Sequence, residues 1–507
     1  MIPSDTDFRI FRDYGHIPGL DIAFVAEGYV YHTEYDTSSR IPLGSIQRAG
    51  DNLLAVVSRL ARFKHLATVH NTTENNSSSA VYFDLLGVRM ISYPAWLGVF
   101  ITGFMFIITG LIINSDIERS IKKLDLSYRD CLRIILALVL SLVVSLLLAL
   151  SVSGLLSLLL GWAGASMSWY SRPFLLALLY SLPTLYCVLL VASFTNTALS
   201  NKFSLGQGSV SLQMFSFHTV NSILIMLSSL LTLLGLRSAF IFSHSLMFLV
   251  GWWILTRLSG RSQSSWSSFL LFNLVMVAPL SLWSYIMQLV FTIFIPIMGR
   301  RGGSLNPDLI LGLITAVFTV ILAVLLLPVF FSLRQQRLVR GFLLLLHLLT
   351  VLLVTTTRLG FPYSGGGEWP TPKRLTAYHV SRVLEDGERS GGGLVCSQDY
   401  HSLTPHLLPG SVDISQLCGG RLTCGLPTTS MRRLSSEGCV WIPAQPPLHH
   451  TDTNVQVVGL TNISPHLTNI TISITGPSRV VLLLSTRGNL SIGKNYVSSC
   501  IPECLMK

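Results

Sequence analysis

The sequence predicts a polytopic α-helical membrane protein of about eight transmembrane helices, with an incomplete α/β segment ahead of the helices and a β-rich, lumen-facing domain after them. Three observations carry that reading. Half of the 507 residues are hydrophobic and only 12% are charged, against about 25% charged in a soluble domain. Between Ile91 and Leu359 the apolar residues gather into runs of twenty or more, separated by short polar hinges. Six of the eight cysteines lie in the final region.

The membrane region comes first in the argument because its physics is least ambiguous. A run of roughly 18–20 apolar residues crosses the hydrocarbon core, where only a helix satisfies its own backbone polar groups. The runs place spans near 91–113, 132–160, 173–193, 213–235, 238–257, 267–297, 307–331 and 339–358. Pro183, Pro279, Pro296 and Pro328 fall inside them and predict kinks. His218, Asn221, His244, Asn273, Gln288 and His347 are polar groups that need partners in this setting. They read as hydrogen-bond glue between helices. No charged residue lies deep in a predicted span and no internal repeat is evident, so a transporter reading ranks behind an anchoring one.

The loops set an orientation. Those at 114–131, 194–212, 258–266 and 332–338, with their helix edges, hold eleven basic residues, among them Arg119, Lys122, Lys123, Arg257 and Arg337. The opposite loops hold four, Arg172, Arg237, Arg300 and Arg301. Basic loops stay cytosolic, which puts both chain ends in the lumen. Asn-x-Ser/Thr glycosylation triplets agree, at Asn71, Asn75 and Asn76 before the spans and Asn462, Asn469 and Asn489 after them. The net charge of +11 is spread over these loops and ends, with no basic block interleaved with aromatics. A nucleic-acid partner is therefore excluded, and lipid is the expected one.

The region 360–507 reads as a disulfide-rich β domain, a sandwich of about 145 residues. Ile470, Ile472 and Ile474 alternate with Thr471 and Ser473, the period of a half-buried strand. Val480 to Leu484 reads as a buried strand, with turns at Gly476-Pro477 and Arg487-Gly488. Cys396, Cys418, Cys424, Cys439, Cys500 and Cys504 form an even set in an oxidising compartment, with fifteen connectivities open. No paired C-x2-C spacing points to zinc there. Cys131 and Cys187 lie at or within the membrane and are expected to be free thiols.

The first region divides into an α/β segment at 1–65 and a glycosylated lumenal linker at 66–90. Asp21 to Ala26 has the apolar run of a sheet strand, and a helix is expected from about Ser45 to Phe63. The helix repeats Ile46, Leu53, Leu54, Val57 and Leu60 at three- and four-residue spacings, which predicts one buried face. Roughly sixty residues with one strand and one helix bury too little apolar area to fold alone.

Four strings in this segment carry a resemblance: Ser4-Asp5-Thr6-Asp7-Phe8, Ile17 to Phe24, Gly28 to Thr37 with its Tyr31-His32-Thr33-x-x-Asp36-Thr37 core, and Ile46 to Leu54. In that order they resemble the last part of the co-catalytic zinc aminopeptidase and glutamate carboxypeptidase family. The resemblance implies a membrane-anchored zinc peptidase of the endoplasmic reticulum that acts on peptide or protein substrates at a site of two Zn2+ ions. It makes His32 the last metal ligand and Tyr31 an oxyanion stabiliser. Asp36 would orient the imidazole from behind, and Ser4, Asp5 and Phe8 would line the substrate cleft. A neutral imidazole donates a lone pair to zinc, and a carboxylate commonly fixes its tautomer. Adjacent residues point to opposite faces of a strand, so the two roles require Tyr31 and His32 to lie in a loop.

The departure is as informative as the match. The family's other ligands, a His-x-Asp pair, a Glu-Glu pair and a further Asp, have no counterpart here, and one histidine cannot hold catalytic zinc. The expectation is a truncated product, inactive alone. Without the resemblance, His32 reads as a packed histidine. Besides the peptidase, two readings stay open: a non-catalytic peptidase-like membrane scaffold, as in the complex that attaches glycosylphosphatidylinositol anchors, and a transporter.

Overall fold

The computed structural model describes residues 6–17, 19–62, 80–203, 210–260, 266–300, 305–332, 335–366, 370–383, 389–397, 399–400, 410–414, 439–448, 454–464 and 467–476. The chain divides into two units, Met1–Arg374 with Ser397–Ser402, and Leu375–Cys396 with Leu403–Lys507.

The first unit opens with α1 (Phe8–Asp13) and α2 (Ser45–Ala61). The second helix lies where its periodicity put it, but its apolar stripe is uncovered: Ile46 is 69% exposed and Leu54 68%. The expected strand at 21–26 does not form, and Ile22 and Phe24 are exposed. A strand needs a neighbour for its N–H and C=O groups, and no described residue supplies one. The stretch before the membrane is not all linker either. β1 (Ala80–Leu85) and β2 (Arg89–Pro94) pair antiparallel around a turn in which Leu86 and Gly87 take left-handed φ of 54° and 73°. The first membrane helix consequently begins at Ala95, four residues later than the apolar run suggested.

Eight helices of the described residues are long and apolar enough to cross a membrane, which is the number the hydropathy pattern predicts. They are built from α3 (Ala95–Leu124), α4 (Tyr128–Trp162), α5 (Phe174–Leu176) continuing through a π turn at Ala177–Ser181 into α6 (Leu182–Lys202), α7 (Val210–Leu233), α8 (Phe240–Leu258), α9 (Trp266–Met298), α10 (Pro307–Leu325) and α12 (Gln336–Thr356). A short α11 (Leu327–Ser332) lies between the last two. Local chemistry sets several boundaries. Ser127 and Asp130 close a capping box at the start of α4. Asn306 accepts from the N–H groups of Asp308 and Leu309, with Pro307 at the first turn of α10.

Prolines account for the irregularities. Pro183 lies two residues past the π turn, in the first turn of α6, and Pro328 follows a break at Leu326 that divides the expected 307–331 span into α10 and α11. Pro279 and Pro296 sit inside α9. Of the polar membrane residues, Asn273 donates to the Phe269 carbonyl at 2.8 Å and His347 Nδ1 lies 3.4 Å from the Leu178 carbonyl. Cys131 and Cys187 are buried free thiols, as expected.

One expectation fails in the bundle. Asp116 and Asp308 lie within membrane helices and both are fully buried. Asp116 was assigned to a loop because hydropathy drops there, yet α3 continues to Leu124. Partners explain its burial: Arg257 donates to it at 2.6 Å, Trp253 Nε1 at 2.9 Å and Arg119 at 3.2 Å. Paired charge is the form in which a carboxylate survives in a membrane.

Among the described residues the second unit holds a four-stranded and a two-stranded sheet. β3 (Leu375–Val383), β4 (Arg389–Ser397), β5 (Val412–Asp413) and β6 (Cys439–Pro443) run in the order β3-β4-β6-β5 over a core of Val380, Leu394, Ile414 and Trp441. Cys396 and Cys439, directly opposite in β4 and β6, form a disulfide. β7 (Asn454–Ser464) and β8 (Leu467–Thr475) make the other sheet, on which Asn462 and Asn469 are exposed. Ile472 and Ile474 are half-buried between exposed Thr471, Ser473 and Thr475, as the alternation predicts, whereas Ile470, the first of the three isoleucines, is 54% exposed. Cys418, Cys424, Cys500, Cys504, Asn71, Asn75, Asn76, Asn489 and the stretch Val480 to Leu484 lie outside the described residues.

Candidate functional site

The strings that carried the family resemblance converge only in part. Ser4 and Asp5 lie outside the described residues. Phe8 starts α1 and folds over Gly19, where a Cβ would come within 2.6 Å of its ring. This ring packs on its own segment.

Tyr31 and His32 lie in a run of turns, the condition their two proposed roles required. His32 takes a left-handed φ of 58°, an uncommon conformation for a non-glycine residue. The reversal lays its imidazole flat on the Tyr31 ring, centroids 3.8 Å apart and planes at 21°. Both side chains are exposed. Asp36, four residues on, is exposed as well, and no hydrogen bond joins it to His32 among the described residues. Thr33 stabilises the turn through its hydroxyl, which donates to the Val30 carbonyl at 2.7 Å.

What holds this turn was not legible in the sequence. Arg374 donates to the carbonyls of Tyr29, at 3.0 Å, and of Tyr31. Arg300, just past the end of α9, places its guanidinium carbon 5.0 Å from the centre of the Tyr31 ring. The Tyr29 ring meets Tyr170 edge-on at 5.2 Å, and Tyr170 meets Tyr363 at 6.1 Å. Gly299 is required beside this cluster, since a Cβ there would overlap the Tyr170 hydroxyl. Neither arginine belongs to a motif, and their 74-residue separation leaves no local pattern that could have found them.

The electrostatics follow from burial. Desolvation pushes the phenols of Tyr29 and Tyr363 well above their ordinary range and that of Tyr170 up to about 12. The nearby Asp399 carboxylate adds to the shift of Tyr363, and these phenols are neutral donors at physiological pH. Burial lowers Lys373, an effect opposed by Asp399 at 3.1 Å. Burial and then the charge of Arg300 lower Arg374. Asp399 is already occupied by Tyr363 at 2.7 Å, Ser397 at 2.8 Å and Lys373.

A charged donor holding a carbonyl contributes about 1.5–3 kcal/mol. Replacing Arg374 by methionine is therefore expected to free the Tyr29–Tyr31 turn and to raise its cleavage by trypsin at Arg40 several-fold in limited proteolysis. An unchanged cleavage rate in a folded Arg374→Met protein would remove Arg374 from this role.

Zinc does not fit the described donor set. His32 supplies one nitrogen, Asp36 is not aimed at it, and no group of three His, Cys, Asp or Glu side chains that could hold a metal ion occurs among the described residues. Catalytic zinc takes three protein ligands. What the arrangement presents is one exposed imidazole stacked on a phenol.

Comparison with known proteins places this turn in a family context. A model described as Peptidase family M28 matches residues 1–57, which include Tyr31, His32 and Asp36. Models described as the TM domain and the C-terminal domain of endoplasmic reticulum metallopeptidase 1 match residues 128–355 and 370–499. The chain is 30% identical to endoplasmic reticulum metallopeptidase 1 of Mus musculus over 99% of its own length and 56% of the relative's. It is 31% identical to the Homo sapiens protein of that name over 80% of the chain and 45% of the relative. It is 30% identical to the putative endoplasmic reticulum metallopeptidase 1-B of Caenorhabditis elegans over 82% of the chain and 45% of the relative. The chain spans about half the length of the curated relatives it matches. No solved structure matches it.

Proposed function

Because the chain belongs to the endoplasmic reticulum metallopeptidase 1 family, we propose that it is part of a zinc-dependent exopeptidase-type metallopeptidase in which His32 is a metal ligand. One observation carries the reading: the peptidase-family match ends within α2 and contains the Tyr31-His32 turn. Zinc, held by His32 together with further ligands, would supply Lewis-acid activation in such an enzyme. The chain's own contribution is positional, with Arg374 and Arg300 fixing the turn at the end of the membrane helices so that the imidazole faces outward. Tyr31, stacked on that imidazole, is the assigned oxyanion donor, and Asp36 the group that orients His32 once further ligands draw them together.

The protein is a multi-pass membrane protein of the endoplasmic reticulum, and we assign both its ends to the lumen. The excess of basic residues in alternate loops and the exposed asparagines of β7 and β8 support that side.

With a single donor the chain alone is expected to show no chelator-sensitive hydrolysis of aminoacyl substrates. The ligand role is tested in a chimera in which residues 1–57 replace the matching stretch of the Mus musculus relative. That protein should cleave peptides in a chelator-sensitive way, and His32→Ala should lower the rate by at least about 100-fold. A chimera that works equally well with His32→Ala sinks the assignment. A second reading is a peptidase-like scaffold that does not cleave, since His32 stands without two further metal-ligating side chains beside it among the described residues. A folded chimera that binds peptide without turnover would select it.

A further inference from the structure

We propose that α3, α7 and α8 enclose a gated proton path through the membrane bundle. The inference goes beyond the peptidase reading and does not depend on it.

The three helices pack against one another, and their polar contacts fix the register. At one end Thr102 of α3 meets Thr232 of α7 at 3.3 Å and Ser243 of α8 at 3.3 Å, and Ser228 contacts Ser243. At the other end Asp116 of α3 meets His218 Nε2 of α7 at 3.3 Å and Arg257 of α8 at 2.6 Å. The two layers are fourteen residues apart on α3, or about 21 Å at 1.5 Å per residue. That is some two-thirds of the roughly 30 Å hydrocarbon core.

Between the layers stand polar groups without partners. Thr109 Oγ1, His218 Nδ1 and both side-chain polar atoms of Asn221 are buried with no hydrogen bond among the described residues. Thr109 is one turn-pair above Asp116 on α3, and Asn221 is one turn from His218 on α7, so the register sets them at neighbouring heights. Buried polar groups of this kind are normally met by internal water. At the hydroxyl end Thr102, Thr232 and Ser243 line a small cavity of ≈ 30 Å³ that Val81 of β1 and Tyr93 of β2 also line, and at the other end the side chains of Arg119 and Arg257 are 53% and 37% exposed.

The chemistry selects protons over metal cations. The Asp116 oxygens already take Arg119, Arg257 and Trp253 and face His218, leaving no free anionic oxygen to replace a hydration shell. The remaining hydroxyl, amide and imidazole groups both donate and accept. In one hop a hydronium on the Asn221 side gives its excess proton to His218 Nδ1 and becomes water, and the proton on Nε2 leaves for a water beside Asp116, which becomes the new hydronium. Turning the ring over restores the first tautomer, with no net change in bonds or charge. Buried Met105 stands between Thr109 and the hydroxyl layer, and buried Leu224 and Ile225 stand level with Thr109 on α7. They form an apolar collar that closes the path by excluding water.

The test uses the full chain in liposomes containing a pH-sensitive dye, with protons driven by a potassium-diffusion potential. Met105→Ser, and Met105→Ala as a milder second variant, should raise proton entry at least about tenfold over the parent protein. Leu111→Ser on the exposed face of α3 should not. Adding Asn221→Leu or the near-isosteric Thr109→Val to Met105→Ser should return entry to the parent rate, and sodium entry should stay at background throughout. The proposal is overturned if both Met105 variants elute and melt like the parent yet leak no protons. It is equally overturned if the leak ignores Asn221→Leu and Thr109→Val, or carries sodium as readily.

Discussion

Asp308→Ala is expected to lower the stability of the membrane bundle by at least about 3 kcal/mol, because it removes the acceptor for three buried donors that each cost roughly 1–3 kcal/mol when unpaired. The Met167 N–H and Trp169 Nε1 each donate to this carboxylate at 2.8 Å, and the Tyr180 hydroxyl donates at 3.1 Å. All four residues are fully buried. The donors come from the 163–173 connection and from the π turn, so a single side chain ties the start of α10 to two other elements. The packing around it leaves no room for compensation: a Cβ on Gly312 would already come within 2.6 Å of the Tyr180 ring. Asp308→Asn keeps one acceptor oxygen and should fall between the parent and Asp308→Ala. Thermal unfolding of the detergent-solubilised full chain, followed by tryptophan fluorescence, reads the order directly. Equal midpoints for all three proteins would show that the carboxylate is not what joins these elements.

The parts of this fold that were legible in the sequence are those with a local physical cause. Eight spans could be counted because hydrocarbon demands uninterrupted apolar helix, and Ile472 and Ile474 announced a strand because a pleated chain alternates. The start of α2 at Ser45 was likewise visible in its repeat. Burial was less legible than periodicity: the same repeat predicts a covered face that no described residue covers. Apart from the β1–β2 hairpin, which the expected linker hid, the failures are non-local. Asp116 looked like a loop residue because its partners, Trp253 and Arg257, are more than 130 residues away. The strand at 21–26 had the right composition and no neighbour to pair with. At the candidate site, the Tyr-His-Thr-x-x-Asp-Thr string points to Tyr31 and His32, but the arginines that position them carry no signature, since a guanidinium that holds backbone carbonyls imposes no spacing on the sequence.

Asp116→Leu is expected to cost about 1–3 kcal/mol, because it leaves the Trp253 indole N–H without its acceptor and parts the partly exposed Arg257 from its carboxylate. The loss falls unevenly on the partners. Arg119 is half in solvent and can turn outward, whereas Arg257 is anchored over the Trp253 ring at 5.1 Å and Trp253 Nε1 would have no acceptor in its place. The damage should therefore depend mainly on Arg257. Removing both charges, in Asp116→Leu with Arg257→Met, deletes the uncompensated cation together with the carboxylate, and the double variant should melt above the Asp116→Leu single variant. A non-additive cycle of this sign is the signature of a direct pair. If the double variant were instead less stable than the parent by the sum of the two separate losses, the two residues would act independently. Asp116 would then owe its place in the membrane to Trp253 and His218 rather than to the arginine.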